Sequence, residues 1–485
     1  MSTWLAVVAL VGRVVVLFGL LMTVPLAFAL GASDPAERAF LTAIGVTLGA
    51  GVLLSLAMRR FRRELQPRDG FVLVALTWAV LPAFAALPLW LAIPGLSATD
   101  AYFEAMSGFT ATGATVLSGL DALPLSVNVW RCFLMWVGGL GIIVLAVAIL
   151  PLLGVGGAQL FKTEMAGPMK DAKLTPRIAQ TARGLWMVYF CFSVLCFGAY
   201  RWAGMSWADA FMHMCTTMGL GGFSSHDASF GHWDSPLIEG VAVCFMLLAG
   251  VSVALYFVAW RQRSLRVLWL NVEARAFVVA IAGTIALVSA YLWALGIYPS
   301  YPEALRHTVF HVVSVGTTTG YASQDYAQWP MFAALLLLLL GCFATCAGST
   351  GGGIKMVRML LLLRQAQHEL VRIVHPNVVN PVLMYGRVVS PRVLQNVVAY
   401  MMLYGASLVV LTLLLLFSGL DVVSAFTAVI ACVNNIGPGL GLVGPALNYG
   451  SLSDFQTWVC TFGMLLGRLE LLSLLVLFTP QFWRR

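Results

Sequence analysis

The amino-acid sequence predicts an all-α, polytopic membrane protein, and three observations carry this prediction. Hydrophobic residues make up 60% of the 485 residues, and charged residues make up only 10%, against roughly 25% in soluble domains. The mean hydropathy is +0.90. Apolar runs close to the roughly 20 residues that cross a bilayer recur along the chain. Such a composition excludes a water-exposed surface and therefore a soluble globular protein.

Ten membrane-spanning helices are predicted. Arg13 interrupts the first apolar run, and no small-residue cleavage site follows it, so we interpret this run as a retained helix rather than a signal peptide. The first two spans form a hairpin, and the other eight fall into four pairs. The predicted spans are 3–30, 39–58, 71–93, 128–152, 184–203, 234–260, 276–297, 328–363, 396–418 and 455–480.

Basic residues are concentrated in a few stretches of the chain, although the formal net charge is only +8. Basic loops lie on the cytoplasmic side of a membrane, so both chain termini are predicted to be cytoplasmic. The loops at 224–236 and 438–454 hold no lysine or arginine and are predicted to lie outside. The basic residues fall at helix ends rather than on one face, which argues against nucleic-acid binding. The basic stretches are 59–68, 162–183, 261–275, 355–392 and 484–485.

A repeated segment lies between the two helices of each pair. Each copy is semi-apolar, about 12 residues long and followed by glycine, which suits a re-entrant half-helix too short to cross a membrane. The glycines recur at roughly 100–120 residues, the mark of a repeated architecture. The aligned copies are DAYFEAMSGFTATG (100–113), DAFMHMCTTMGLGG (209–222), HTVFHVVSVGTTTG (307–320) and SAFTAVIACVNNIG (424–437).

The repeat divides the chain into an N-terminal transmembrane hairpin and four helix–pore-loop–helix units around a central pore, a pseudo-fourfold arrangement like that of a potassium channel. The predicted divisions are 1–69 for the hairpin, then 70–183, 184–275, 276–392 and 393–485 for the four pore repeats.

The chemistry of the repeat favours a cation pathway. Non-helical backbone inside a membrane is tolerated only where protein buries it or where it lines a wet pathway. The negative, carbonyl-bearing end of each half-helix favours a cation, and four such loops around an axis would supply stacked rings of carbonyl oxygen. The alternative is that these segments are ordinary extracellular loops rich in glycine and threonine, but four aligned copies favour the pore.

Five motifs are similar to those of a known family. They are FTATGATV, GGFSSHD, TTTGYASQD and NNIGPGLG after the four half-helices, and CAGSTGGGIKMVR at 346–358. On these motifs the chain resembles the Trk/Ktr/HKT superfamily of potassium transporters. The N-terminal hairpin and the length are similar to the TrkH/TrkG branch rather than to KtrB.

The resemblance implies a function and an assembly. It implies potassium uptake across the bacterial inner membrane by a homodimeric pore-forming subunit, with a ring of nucleotide-binding, TrkA-like regulatory subunits in the cytoplasm. Potassium would be the transported ion, and no nucleotide would bind to this chain. The residues leave open whether flux is passive or coupled to protons. The alternatives are a sodium-coupled or sodium-permeable transporter like Ktr or HKT and, less favoured, a membrane enzyme or lipid transporter.

The resemblance also implies which residues form a selectivity filter. Ala111 departs from the threonine common in the first filter, and the second filter reads MGLGG; both changes are tolerable because carbonyls do the work. Glycine at all four aligned positions goes with potassium preference. The implied ion-binding residues are Thr110, Ala111, Thr112, Gly113, Leu220, Gly221, Gly222, Thr317, Thr318, Thr319, Gly320, Asn434, Asn435, Ile436 and Gly437.

The resemblance implies a gate at 346–354, where three consecutive glycines interrupt the apolar run 328–363. Each glycine costs a continuous helix about 1 kcal/mol relative to alanine. The alternative is a passive kink or a helix-packing notch. An arginine inside a membrane needs a partner or a wet cavity, and the resemblance implies that Arg468 lies beneath the filter. The predicted gating residues are Gly348, Ser349, Thr350, Gly351, Gly352, Gly353 and Arg468.

The remaining polar residues give weaker predictions. Glu104 is interpreted as a hydrogen-bond brace behind the first filter rather than an ion ligand. Asp227 either concentrates cations at the outer mouth or lies in a solvated loop. Cys342 and Cys346 are interpreted as small buried hydrophobes rather than a metal pair. No ligand set is predicted among the histidines, which are His213, His226, His232, His307 and His311. No catalytic motif appears, so an enzyme is not predicted.

Overall fold

A computed structural model describes residues 2–58, 66–148 and 174–484. Within these residues the protein is almost entirely helical. The helices are α1 (Ser2–Leu21), α2 (Thr23–Ala32), α3 (Glu37–Ala57), α4 (Pro67–Ala92), α5 (Ala98–Phe109), α6 (Leu125–Ala148), α7 (Leu174–Trp202), α8 (Trp207–Gly219), α9 (Pro236–Gly250), α10 (Val253–Gln262), α11 (Arg266–Leu270), α12 (Val272–Ala294), α13 (Tyr301–Gly316), α14 (Met331–Phe343), α15 (Met356–Val374), α16 (Pro391–Phe417), α17 (Val422–Val433), α18 (Asp454–Arg468), α19 (Leu472–Leu475) and α20 (Pro480–Trp483).

Seven stretches of the described chain are helical and are long and apolar enough to cross a membrane without a sharp bend. Each corresponds to a span predicted from the sequence, which confirms the all-α polytopic fold. The spanning stretches are Leu5–Ala32, Glu37–Ala57, Arg68–Ala92, Leu125–Ile143, Ala182–Trp202, Val272–Ala294 and Pro391–Phe417.

Two predicted spans are bent rather than continuous, which corrects the sequence prediction. The predicted span 234–260 turns by 85° between α9 and α10, and the predicted span 455–480 turns by 106° after α18. Glu470 and Leu471 at the second bend have positive φ angles of 54° and 38°. At the first bend, Gly250 accepts a hydrogen bond from the Cys346 amide. Backbone groups freed by that bend are therefore satisfied by another repeat.

The predicted span 328–363 is divided, as the glycine run indicates. Helix α14 ends at Phe343, and α15 begins at Met356. The intervening residues, 344–355, are called the intramembrane loop below. Its ends are closed by the amides of Ile354 and Met356, which donate to the carbonyls of Cys342 at 2.7 Å and Thr345 at 2.8 Å.

Four short helices, α5, α8, α13 and α17, are called the pore helices. They are 12, 13, 16 and 12 residues long, close to the predicted length. Ser97, Ser206 and Asp421 cap three of them by accepting a backbone amide bond, and proline lies in the first turn of α13. All four are buried along their C-terminal halves, so the centre of the molecule is made from half-helices and their following loops.

The N-terminal hairpin packs α1 against α3 and against the first repeat. The ring of Phe18 lies 5.9 Å from that of Phe109 at the end of the first pore helix, and 5.7 Å from that of Trp130. The hairpin thus supports the outside of the first pore loop.

The connections between the helices carry little regular structure. Five 3₁₀ turns lie in the segments that follow the pore helices, and a sixth follows α19. A two-stranded antiparallel hairpin, Leu383–Met384 with Arg387–Val388, lies within the basic stretch 355–392. Of the other basic stretches, most of 59–68, 162–173 and Arg485 lie outside the described residues. The 3₁₀ turns are Leu120–Ala122, Ser229–His232, Tyr326–Gln328, Gly441–Val443, Tyr449–Ser451 and Val476–Phe478.

Candidate ion pathway

The four pore helices end in the same backbone conformation. Two residues before each aligned glycine, a non-glycine residue has a positive φ angle, and the glycine itself is also positive, a region that L side chains rarely adopt. The pairs are Ala111 at 51° with Gly113 at 87°, Leu220 at 52° with Gly222 at 75°, Thr318 at 61° with Gly320 at 87°, and Asn435 at 54° with Gly437 at 97°.

The four ends also share one hydrogen bond. The amide of the residue before each glycine donates to the carbonyl five residues earlier, which satisfies part of the helix C-terminus. The four pairs are Thr112 to Ser107 at 2.8 Å, Gly221 to Thr216 at 2.9 Å, Thr319 to Ser314 at 2.8 Å and Ile436 to Ala431 at 2.8 Å. The same backbone hydrogen bond therefore closes all four loops.

The four loops close into a ring. A Cβ atom on each aligned glycine would strike the carbonyl oxygen of the residue before the glycine of the next repeat. At the last position the separation would be 2.8 Å, and at the others it would be shorter, below any distance that real Cβ atoms show. The facing pairs are Gly113 with Gly221, Gly222 with Thr319, Gly320 with Ile436, and Gly437 with Thr112. Only glycine fits this approach.

All fifteen predicted filter residues lie in these four loops, called the filter loops: 110–113, 220–222, 317–320 and 434–437. All are buried except Gly113, Gly222 and Gly320, which are partly exposed. The loops contain no charged residue. Backbone oxygen is the ligand type that hard monovalent and divalent cations prefer, and it replaces a hydration shell without a fixed charge. The arrangement can therefore hold a dehydrated cation.

In each repeat, a polar side chain of the pore helix braces the extended segment that follows the filter loop. Glu104 accepts hydrogen bonds from the Thr115 hydroxyl at 2.9 Å and the Val116 amide at 3.0 Å, and its side chain is fully buried. The structure therefore places Glu104 as the brace expected from the sequence, away from the ring.

Histidine takes the same aligned position in the second and third repeats. The Nδ1 of His213 bonds the Asp209 carbonyl at 2.9 Å, and that of His311 bonds the His307 carbonyl at 2.8 Å. A carbonyl only accepts, so Nδ1 carries the proton and Nε2 is free to accept. Nε2 of His213 faces the Ser224 hydroxyl at 3.0 Å, and that of His311 faces the Ser323 amide at 3.3 Å.

The fourth repeat has alanine at the aligned position, and Thr427, one residue earlier, takes over the role. Its hydroxyl accepts from the Leu440 amide at 2.9 Å. A carboxylate, an imidazole or a hydroxyl group on the pore helix therefore forms hydrogen bonds with the segment after the filter loop in each of the four repeats.

Sequence reasoning missed Arg131, which is fully buried between the first and second repeats. Its Nε donates to Glu104 at 2.7 Å, its Nη1 donates to the Ser224 carbonyl at 3.2 Å, and its guanidinium lies 4.4 Å from the ring centre of Phe223. The available signal was an arginine near the start of an otherwise apolar span, which is costly inside a membrane without a partner.

The intramembrane loop lies directly beneath the filter loops. The Gly352 amide donates to the Thr318 hydroxyl at 2.9 Å, and the Thr350 hydroxyl donates to the Met218 carbonyl at 2.9 Å. A Cβ on Gly352 would strike the Asn434 carbonyl. The loop therefore packs against the second, third and fourth pore-helix ends.

Arg468, for which the resemblance implies a place beneath the filter, is hydrogen-bonded to this loop. Its Nη1 donates to the Thr350 carbonyl at 2.8 Å, and its Nη2 donates to the Gly138 carbonyl at 3.1 Å. Its Nε has no hydrogen-bond partner among the described residues. Glu470 pairs with Arg358 instead, which agrees with the expectation that residues two apart on a helix diverge.

Two further charged residues hold the loop, and both were missed from the sequence. The Glu273 carboxylate accepts from the Ala347 amide at 2.6 Å and from the Val357 amide at 3.2 Å, spanning both ends of the loop. The ammonium of Lys355 donates to the Gly351 carbonyl. Both residues lie beside predicted cytoplasmic ends, where charged side chains are ordinarily solvated, so no feature of the sequence indicated their burial. Cys342 and Cys346 are buried free thiols.

The outer mouth is tied together by carboxylates. Asp227 accepts from the Leu120 amide at 2.9 Å, so it links the second repeat to the first. Asp325, at the same offset in the third repeat, caps its own 3₁₀ turn by accepting from the Ala327 amide at 3.1 Å.

Asp121, His226 and His232 also meet at this mouth. Their ligand atoms lie within 4.8 Å of one another. The bond from His226 lowers the pKa of the Asp121 carboxyl. Burial alone would lower the pKa of His226, but its hydrogen bonds to Asp209 and Asp121 outweigh this and raise it. Asp121 belongs to another repeat, so sequence spacing could not reveal the cluster.

Comparisons with known proteins agree on one family. Residues 37–485 match the family model described as TrkH, a cation transport protein. The Trk system potassium uptake protein TrkH of Halomonas elongata is 44% identical over 485 residues, covering 99% of both chains. The TrkH protein of Escherichia coli K12 is 44% identical over 480 residues, again covering 99% of both. The crystal structure of the potassium transporter TrkH from Vibrio parahaemolyticus matches with a TM-score of 0.92 at 41% identity, over 99% of both chains.

Proposed function

This chain belongs to the TrkH family of cation transport proteins, and we propose that it forms the potassium-conducting pore of a Trk-type uptake system. The observation that carries the proposal is the closed ring in which each filter glycine faces the carbonyl of the next repeat. Four uncharged loops that present backbone oxygen around one axis suit a monovalent cation stripped of water. Relatives named potassium uptake proteins, at 44% identity over the full length, support potassium as that cation.

The fifteen residues of the filter loops are the proposed potassium ligands. They act mainly through carbonyl oxygen, because the Asn434 side chain is turned away to the Tyr404 hydroxyl at 2.9 Å. The division into an N-terminal hairpin and four pore repeats belongs to the same proposal. The chain itself performs no catalysis.

The intramembrane loop is the proposed gate. It is buried beneath three pore-helix ends and is bonded to Arg468, whose positive charge opposes a cation in a low-dielectric passage. The proposed gate consists of Gly348, Ser349, Thr350, Gly351, Gly352, Gly353 and Arg468.

The family resemblance supports a proposed assembly. In this proposal the protein is a homodimer in the bacterial inner membrane, with both termini in the cytoplasm. A nucleotide-binding, TrkA-like ring docks on its basic stretches. The word "system" in the relatives' names supports further components. Neutralising the basic residues of 355–392 should weaken co-purification of such a subunit, and full regulated activity of the chain alone would contradict this partner.

Ion flux tests the function directly. The purified protein is reconstituted into liposomes, with and without its cytoplasmic subunit, and potassium and sodium uptake are measured separately. Faster potassium uptake supports the proposal. Equal uptake of both ions would indicate a sodium-permeable transporter, and uptake of neither ion under either condition would overturn the pore.

A glycine pair sharpens the test. Gly320 has φ of 87° and a carbonyl in the way of any side chain, while Gly419 has φ of 89° and nothing within 4 Å. Both substitutions to serine carry the same left-handed strain, about 1–2 kcal/mol. Gly320→Ser should abolish flux or the preference for potassium, and Gly419→Ser should not. Equal potassium flux and equal ion preference in the two variants would show that the glycine ring is not part of the selectivity filter.

A further inference from the structure

A cluster of metal-ligating side chains lies at the outer mouth, outside the filter. Asp121 comes from the first repeat, and His226 and His232 come from the second; their ligand atoms lie within 4.8 Å of one another. Nδ1 of His226 is hydrogen-bonded to the Asp121 carboxylate. The His226 and His232 rings are stacked, with centroids 3.6 Å apart and planes 7° apart.

The surroundings orient two of these ligands. Nε2 of His226 lies 3.4 Å from a carboxylate oxygen of Asp209, and that carboxylate is itself held by the Ser206 and Ser225 hydroxyls at 2.6 and 2.8 Å. A histidine whose far nitrogen faces a carboxylate presents its other nitrogen to a metal in a fixed orientation. The second oxygen of Asp121 accepts from the Asp227 amide at 3.2 Å.

We propose that Asp121, His226 and His232 bind a divalent transition-metal ion of the zinc type, and that the bound ion slows potassium access to the pore. Two imidazoles and one carboxylate are a ligand set that zinc accepts, with water in the fourth position. The ligand atoms lie within 4.8 Å of one another, and bonds of about 2.0–2.2 Å to a shared ion require them to adjust their positions. The exposed side chains of Asp121 and His232 are free to make that movement.

The position accounts for the effect on transport. His226 follows Gly222 of the second filter loop by only four residues. A divalent cation held there adds positive charge where potassium approaches and neutralises the carboxylate of Asp121. It also ties the outer segments of the first and second repeats together. This effect on flux rests on the proposed function, whereas the binding site does not.

Zinc chloride binding and flux are measured on the same full-length preparation. Calorimetry in detergent should show one ion bound per chain, weakened about tenfold or more by His232→Ala and unchanged by His375→Ala, which removes an exposed histidine outside the cluster. Zinc binding that is absent, or insensitive to His232→Ala, would overturn the site.

The flux arm uses liposomes with zinc added to each side in turn. Potassium uptake should fall when zinc is on the side of the outer mouth, and His232→Ala should shift the inhibitory concentration upward by the factor seen in calorimetry. Binding without any inhibition would overturn the effect on transport. Loss of flux in the absence of zinc would instead contradict the proposed function, so the two failures are distinguishable.

Discussion

The filter loops and the intramembrane loop lie against each other, yet they are held in different ways. Each filter loop closes with the same bond to its own pore helix, as Thr319 does to Ser314. The intramembrane loop has bonds within itself, but it is also held by single bonds to distant parts of the chain, including Met218, Glu273 and Arg468. A loop built from its own repeat keeps its shape when neighbours move. A loop held by scattered single hydrogen bonds, each worth about 0.5–1.5 kcal/mol net, is released when a few of them are lost.

The largest expected effect concerns Glu104, the side chain that braces the first filter loop. Glu104→Ala leaves Arg131 buried without its carboxylate partner, and breaking such a pair costs about 3–5 kcal/mol. The thermal unfolding midpoint of the detergent-solubilised protein should fall sharply. Glu369→Ala, which removes an exposed glutamate, should leave the midpoint nearly unchanged. A small shift for Glu104→Ala would show that the first filter stands without this brace.

The next effect concerns the position of the proposed gate, the intramembrane loop, against the filter loops. Gly352→Ala places a methyl group against the Asn434 carbonyl, so the loop cannot keep its position beneath the filter. Potassium flux in the absence of the cytoplasmic subunit should rise by about tenfold for each 1.4 kcal/mol of closed-state destabilisation, and dependence on that subunit should weaken. Gly283→Ala, at a glycine with nothing within 4 Å, is the matched control. Unchanged, fully regulated flux in Gly352→Ala would mean that the gate lies elsewhere.

Arg468 should show a mixed effect because it contributes both charge and a hydrogen bond. Arg468→Ala removes the positive charge from the pathway and the bond to the Thr350 carbonyl. Basal flux should rise several-fold, with only partial loss of regulation. Arg468→Lys keeps the charge but lacks the planar fork that reaches two carbonyls, so it should recover the low basal flux in part. If lysine and alanine behave alike, geometry rather than charge sets the barrier.

The smallest effect separates bonds that leave the loop from bonds within it. Thr350→Val removes the hydroxyl bond to the Met218 carbonyl, and Ser349→Ala removes a bond to Cys346 inside the loop. Thr350→Val should raise basal flux about two- to tenfold, from a loss of about 0.5–1.5 kcal/mol. Ser349→Ala should change it less, and the reverse order would contradict the importance of contacts to other repeats.

The sequence by itself determined the features that depend on local composition and spacing. Apolar runs set the spans, short semi-apolar segments set the pore helices, and glycine at four aligned positions set where the backbone adopts positive φ. The glycine run before Lys355 also indicated that α14 and α15 are separate. Each is a property of consecutive residues, because hydrophobic length and backbone freedom are readable without knowing the neighbours.

Only the tertiary structure decided the features that join residues from different repeats. The closed ring, the bond from Arg131 to the Ser224 carbonyl, the bond from Arg468 to the intramembrane loop and the cluster around His226 all connect distant stretches of the chain. The bends after α9 and α18 escaped prediction for a related reason. At the bend after α9, the amide of Cys346 in the intramembrane loop donates a hydrogen bond to the carbonyl of Gly250, which the bend leaves without a partner in its own helix. Sequence spacing carries no record of which groups meet across repeats, since that depends on how the helices pack.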